Sequence, residues 1–292
     1  MTIKRQQKRG FTLIELLVVV AVVAILAGLL LPTLGRARDR AYAAACLNHL
    51  KQLQLGWTLY ANDHNDWLPP SEMNASVPKA PRWVDGNMSA FGDYAMTRTN
   101  RALLVAPGPG HIGPYVQAPD VFHCPGDRSM VNVYGKRGPL RVRSYSMNQF
   151  IGGGNGVTYT GDLNQMESVV WGFSPTAFVR YADFNRVSPA QIWVFIDEHE
   201  ASITSGLFAL DWFGGPQSSW IRRVAGRHGG VGSLSFADGH AELRRWKDTR
   251  TAPRVSTWEQ FWALSPSAVG NPDYVWLWER TNGPWPWPVT GE

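Results

Sequence analysis

The chain opens on an almost unbroken apolar run. Every position over 13–31 is apolar or glycine except Glu15. At 1.5 Å per residue a helix over 11–31 spans about 30 Å, the thickness of a bilayer's hydrocarbon core, so this stretch is expected to be a transmembrane helix. The pattern then changes. Ala43, Cys46, Leu50, Leu53, Trp57 and Tyr60 recur at spacings of three and four, which lays one apolar stripe along a helical spine over 32–61. Arg36, Arg38, Asp39, Arg40 and Lys51 lie off the stripe or ahead of it. Pro32 separates the two stretches and cannot donate to the carbonyl of Gly28, so a bend or a weak point is expected there.

Past Asn62-Asp63-His64-Asn65-Asp66 the helical period ends, and a proline-rich stretch over 69–119 shows no period of either kind. Strand signals follow at 142–148, 191–197 and 233–244. In the last of these, Asp238-Gly239 reads as a two-residue type I′ turn with positive φ at both residues. Phe236 would then face Ala241 and Leu234 would face Leu243, with Ser235 and Glu242 on the other side. The predicted fold class is α+β: a long N-terminal transmembrane and spine helix packed on an antiparallel β-sheet with long loops. The predicted divisions are 1–10, 11–31, 32–61 and a globular, loop-rich β domain over 62–292.

Glu15 is the anomaly in the first run, because a carboxylate in lipid costs roughly 2.5–3.5 kcal/mol or more. Its setting, Lys8-Arg9-Gly10-Phe11-Thr12-Leu13-Ile14-Glu15, resembles the prepilin signature of type IV pilins and type II secretion pseudopilins. The resemblance implies that 1–10 is a leader, that a prepilin peptidase cuts between Gly10 and Phe11 and methylates the new N-terminus, and that Glu15 pairs with the Phe11 amine of a neighbouring subunit. It further implies a pilin-like fold and a structural role in a pseudopilus or pilus-like filament. The partners would be the peptidase, other pilin-like subunits, the secretion or pilus machinery and the membrane. Lys4, Arg5, Lys8 and Arg9 place the N-terminus in the cytoplasm and the globular domain outside the cytoplasmic membrane, whether periplasmic or extracellular, on a single span.

A second, narrower resemblance lies further on. His228, nine residues, then Asp238-Gly239 resembles the H-X9-DG pattern of a large group of prepilin-type proteins, and Cys124-Pro125, Tyr145-Ser146-Met147-Asn148 and Ile196-Asp197-Glu198 resemble the same group.

Composition narrows the function classes. The net charge of +5 falls close to neutrality once the four basic residues of 1–10 are removed, leaving no nucleic-acid footprint. Catalytic signatures such as His-Glu-x-x-His, Gly-x-Ser-x-Gly and a Walker loop are absent, and no enzyme activity is expected. No cofactor is expected either. A structural calcium is a candidate, implied by the likeness to major pseudopilins, with Asp197, Glu198, His199, Glu200, His228, Asp238 and His240 as available ligands; the Asn62-Asp63-His64-Asn65-Asp66 cluster could also bind a cation, although a solvated helix end is the commoner use. Cys46 and Cys124 are the only cysteines, and in an oxidising compartment they could form one bridge. Trp258, Trp262, Trp276, Trp278, Trp285 and Trp287 crowd the C-terminal end. They allow a competing reading, a membrane-anchored surface adhesin or glycan binder, although core packing is the commoner use of such aromatics.

Overall fold

A computed structural model of the protein describes residues 13–71, 81–88, 95–133, 136–152, 157–158, 169–170, 177–211, 215–253, 260, 264 and 267–283. Helix α1 runs from Leu13 to Asp63 and stays helical through Pro32, where the Thr33 hydroxyl donates to the Leu30 carbonyl at 2.8 Å. By internal contacts the chain divides between Ala41 and Tyr42, inside α1. On the N-terminal side the side chains of α1 are exposed, Leu13, Ile14 and Leu29 among them. On the C-terminal side the expected stripe is observed: Cys46, Leu50, Leu53 and Trp57 are completely buried, and Ala43 and Tyr60 nearly so. Each fully buried leucine contributes at most roughly 1.5–3 kcal/mol, so this face fastens the helix to the domain. The helix ends where Asn65 and Asp66 take left-handed φ of 53° and 64°, a conformation that Asn and Asp tolerate better than most residues.

Short helices α2 (Ala95–Thr99), α3 (Ala102–Val105) and α4 (Gly113–Val116) lie in the loop-rich stretch. Strands β1 (Met130–Val133) and β2 (Lys136–Leu140) form one outlying ladder. The main sheet has the order β7-β3-β6-β8-β9, built from β3 (Tyr145–Asn148), β6 (Trp193–Asp197), β7 (Leu207–Phe208), β8 (Val231–Phe236) and β9 (Ala241–Arg245). The remaining described pair is β4 (Val157–Thr158) with β5 (Val169–Val170). The sheet is mixed rather than antiparallel, because β7 pairs in parallel with β3. Two residues are too few to show a strand period, which is why the sequence pattern does not reveal β7.

Both sheet faces are covered. One core joins Cys46, Leu50, Leu53 and Trp57 of α1 to Tyr145, Met147, Val194 and Phe195. The other joins Trp193, Ile196, Leu234 and Phe236 to Tyr274, Leu277 and Trp278 of helix α5 (Pro272–Asn282). The register shift between Trp193 and Phe195 accounts for neighbouring Val194 and Phe195 serving the same core. Helix α5 carries its own start signal. Asn271 is the N-cap, its side chain accepts from the Asp273 and Tyr274 amides, and Pro272 occupies the first turn.

The hairpin departs from the expected register by one residue. Ser235 pairs with Ala241, Leu234 with Glu242 and Ser233 with Leu243. The Gly239 amide bonds to the Phe236 carbonyl at 2.9 Å, and the Phe236 amide to the His240 carbonyl at 2.9 Å. The loop is therefore three residues, Ala237-Asp238-Gly239, and only Gly239 has a positive φ, 96°. Because strand faces alternate, the one-residue shift changes what lies opposite what. The serines of β8 are buried like its leucine, and Ser235, expected opposite Glu242, faces α1.

Candidate functional site

Two places hold the candidate functional residues, and the first is the head of α1. Gly10 and Phe11 lie outside the described residues. Glu15 sits in the first turn of α1, exposed on the single chain among exposed Leu, Ile and Val side chains. Such an apolar surface has no stable place in water, and it matches lipid or the same helix of another copy.

The second place is buried, and Cys124, Tyr145, Asp197 and His228, from stretches that resemble the H-X9-DG group, meet there. Cys124-Pro125-Gly126-Asp127 forms a turn closed by the Asp127 amide on the Cys124 carbonyl at 2.8 Å. A Cβ on Gly126 would lie 2.9 Å from His228 Cε1, so contact with the histidine excludes a side chain here. Pointing inward from this turn, Cys124 Sγ is 2.6 Å from Cys46 Sγ on α1. His228 Nε2 lies 3.2 Å from Cys46 Sγ and 3.4 Å from Cys124 Sγ. All three side chains are buried, at 0%, 0% and 6% exposure. A further bond, His49 Nδ1 to the His123 carbonyl at 2.9 Å, joins α1 to the same loop.

Arg227, the neighbour of His228, holds the other side of this node. Its guanidinium pairs with Asp197 at the end of β6, with Asp127 at 3.3 Å and with Glu200 at 3.0 Å. It also donates to the Glu198 carbonyl at 2.9 Å. Burial alone would raise the Asp127 carboxyl, but Arg227, His123 and the Ser129 hydrogen bonds outweigh it and hold the pKa at about 2. For Asp197 burial wins. With Cys46 and Asp127 also nearby, its pKa is pushed up to about 7 despite Arg227, and its Oδ2 has no hydrogen-bond partner. Among the thiols, Cys46 is lowered to about 5, chiefly by its hydrogen bond from Cys124 and then by His228. Cys124 is raised by burial and by Cys46. Burial disfavours a charged His228, yet the hydrogen bond and the charge of Cys46 carry its pKa upward.

The two halves of the H-X9-DG motif do not meet. His228 precedes β8 and Asp238-Gly239 follows it, so the motif brackets a strand. Asp238 Oδ1 accepts from the His240 amide at 3.1 Å and lies 2.5 Å from His240 Nδ1. The residues set aside for calcium are engaged within the protein. Asp197 and Glu200 hold Arg227, Glu198 Oε1 accepts from Ser202 at 2.9 Å, and His199 Nε2 meets the Pro253 carbonyl at 3.0 Å. Asn148, from the Tyr145–Asn148 stretch, donates to the Trp193 and Thr281 carbonyls at 2.9 and 2.8 Å, joining β3 to α5. Of the C-terminal tryptophans, Trp278 is 1% exposed in the core. Trp276 has the guanidiniums of Arg244 and Arg280 against its ring, 3.5 and 4.5 Å from the ring centroid. The other four lie outside the described residues. Sequence reading passed over Arg227 and Asp127; the signal was there in a charged side chain inside Gly-Arg-His-Gly-Gly and in the aspartate closing Cys-Pro-Gly-Asp.

Comparison with known proteins decides the family. The prokaryotic N-terminal methylation motif matches residues 5–31. The chain is 42% identical over 59 residues to the type IV wide pilus major component PilA4 of Thermus thermophilus, covering 20% of this chain and 45% of that protein. It is 33% identical over 120 residues to the type II secretion system core protein G of Klebsiella michiganensis, covering 36% of this chain and 78% of that protein. The chain belongs to the prepilin family of type IV pilins and type II secretion pseudopilins. No solved structure matches it. As a prepilin-family protein it is anchored in a membrane by its apolar N-terminal helix. The family's fold, a long N-terminal helix packed on a sheet, is the one observed. The buried node is built from α1 and the larger domain, most of which lies beyond the stretch matched by either relative.

Proposed function

We propose that the protein is a structural subunit of a type II secretion pseudopilus or a type IV pilus-like filament, and that it has no enzymatic role. The observation that carries this reading is α1 itself. One continuous helix presents an exposed apolar surface with a single carboxylate, Glu15, at its head and a buried stripe from Ala43 to Tyr60 at its tail. The first half suits lateral packing of helices, in lipid and then in a filament. The second half fixes the helix to a domain that the filament would display.

Prepilin peptidase would cut between Gly10 and Phe11, where glycine offers no side chain to obstruct the cut. The basic residues of 1–10 hold that end in the cytoplasm, and the helix crosses the cytoplasmic membrane once with the domain outside. Partner subunits would bring their own helices beside this one, Glu15 meeting the Phe11 amine of a neighbour.

N-terminal sequencing of the protein from its native membrane tests the reading. The expected mature chain begins at a methylated Phe11, and Gly10→Val should accumulate as precursor. A native protein that retains residues 1–10, or a Gly10→Val protein that matures normally, would exclude the assignment.

A further inference from the structure

The buried node places two thiols and an imidazole in mutual contact at the seam between α1 and the loop that carries Cys124. At 2.6 Å the sulfurs are well inside ordinary non-bonded contact, and a shift of about half an ångström brings them to the roughly 2.0 Å of a disulfide. A shared metal ion asks for the opposite movement. Two thiolates each about 2.3 Å from a tetrahedral zinc stand about 3.7 Å apart, so the pair would have to open by about an ångström inside a packed core.

We propose that Cys46 and Cys124 close into a disulfide as α1 docks, and that His228 is the residue that takes the thiol proton in the closing step. The inference rests on the proposed export of the domain, because a disulfide oxidant is met outside the cytoplasm.

Both sulfurs are inaccessible once the fold is complete, so the oxidant must engage before docking. An oxidant of the disulfide class, protein or glutathione, exchanges with Cys124 while the loop is open. The oxidant's S–S bond breaks, a mixed disulfide forms on Cys124, and the displaced sulfur leaves with the Cys124 proton. Docking then brings Cys46 up against that mixed disulfide. His228 Nε2, which the finished fold sets within 3.4 Å of both sulfurs, accepts the Cys46 proton as the site closes. The Cys46 thiolate attacks Cys124 Sγ, and the remaining oxidant sulfur departs as a thiolate that is protonated from the imidazolium. In total two thiols lose two protons and two electrons, and one oxidant disulfide becomes two thiols.

In the folded site Cys124 and then His228 lower the Cys46 thiol, and His228 remains to favour the Cys46 thiolate once Cys124 carries the oxidant. Asp197, Arg227, Tyr145 and His123 also face this node. His228 alone of these has a ring nitrogen in contact with both sulfurs. The consequence is mechanical. The bridge would fasten the helix to the domain covalently, at the point where a filament subunit transmits pull from one to the other.

Full-length protein extracted in detergent from its native membrane tests this. Denatured without reductant, it should show no free thiol and a mass lower by two hydrogens than after reduction. Two free thiols in protein that begins at Phe11 would overturn the bridge and leave the filament reading intact. One bound metal ion per chain with both thiols unoxidised would overturn it equally. Unprocessed precursor would count against the filament reading alone, since the same protein can be reduced, unfolded and refolded with glutathione disulfide.

In that refolding, Cys46→Ser should stop at a glutathione adduct on Cys124. His228→Gln should close with a rate that falls about tenfold per pH unit below neutrality, while the parent's rate stays nearly level. A His228→Gln protein that closes with the parent's pH profile would remove His228 from the step.

Discussion

Ser235 on β8 donates its hydroxyl to Gln54 Oε1 on α1 at 3.0 Å, a side-chain bond between strand and helix at a position where neither residue is more than 1% exposed. The same hydroxyl accepts the Phe195 amide at 3.3 Å. Ser235 is therefore a polar contact that joins helix to sheet. Ser235→Ala should lower stability by about 1–3 kcal/mol, because it leaves buried acceptors on Gln54 without a donor. In a double-mutant cycle with Gln54→Leu the two losses should be less than additive, by at least about 0.5 kcal/mol. Strict additivity in urea unfolding of the full-length protein would show that the bond contributes nothing specific.

Gly239 presents a separable backbone test. Its φ of 96° is one that L side chains rarely adopt, yet a Cβ there meets no atom within 4 Å. Gly239→Val should therefore destabilise through backbone strain alone, by more than about 1 kcal/mol, with Gly239→Ala less severe. Asp238→Gly, at a residue without left-handed φ, should cost less. A type I′ turn would instead make Asp238→Gly stabilising, so the pair of melting shifts distinguishes the two loops.

How much of this was legible can be read from particular residues. The stripe from Ala43 to Tyr60 was, because a 3.6-residue period is a local property that survives whatever packs on it. The hairpin was legible but its register was not. Asp238-Gly239 is compatible with a two-residue and a three-residue loop, and buried serines on β8 hide the face that alternation would otherwise reveal. The start of α5 is written in Asn271-Pro272-Asp273, a cap and a first-turn proline set among tryptophans whose spacing masks them. The meeting of Cys46, Cys124 and His228 could not be foreseen from spacing, since it joins residues 182 positions apart and depends on the whole sheet being in place.

Asp127 and Asp197 share Arg227 but should bend the pH dependence of stability in opposite directions. Asp127 is held at about 2 in the folded protein, below its unfolded value. Its contribution, about 2 kcal/mol, is complete above about pH 4 and is lost as pH falls toward 2. Asp197 is raised to about 7, so the folded state holds a proton that the unfolded chain has released. Its contribution is complete below about pH 4 and is lost as pH rises through 7. With the thiols bridged the Cys46 charge no longer acts on Asp197, but burial still raises its carboxyl, so stability of the parent minus that of Asp197→Asn should fall as pH rises above about 4. The corresponding difference for Asp127→Asn should rise across pH 2 to 4. A difference curve for Asp197→Asn that is flat from pH 4 to 7 would show that its carboxyl is already ionised at acid pH.

The last prediction concerns Glu15, whose position in α1 sets a membrane cost against a proposed assembly role. A carboxylate in an apolar helix opposes insertion, by roughly 2.5–3.5 kcal/mol at the bilayer centre and less toward the helix end where Glu15 sits, and Glu15→Leu removes that opposition. The variant should enter the membrane at least as well as the parent and should still be cut, because Gly10 and the residues around it are unchanged. In a filament the balance reverses. Helices packed side by side exclude water, and a carboxylate facing a neighbour's N-terminal amine then fixes one axial register among the many that a featureless apolar helix would allow. Glu15→Leu should therefore leave cleavage intact and reduce incorporation into sheared filaments when expressed with the native machinery. Mass measurement of the membrane fraction reports the cleavage, and quantitation of the sheared fraction reports the assembly. Equal incorporation of parent and variant would mean that the carboxylate sets no register, and that the helix serves this protein only as an anchor.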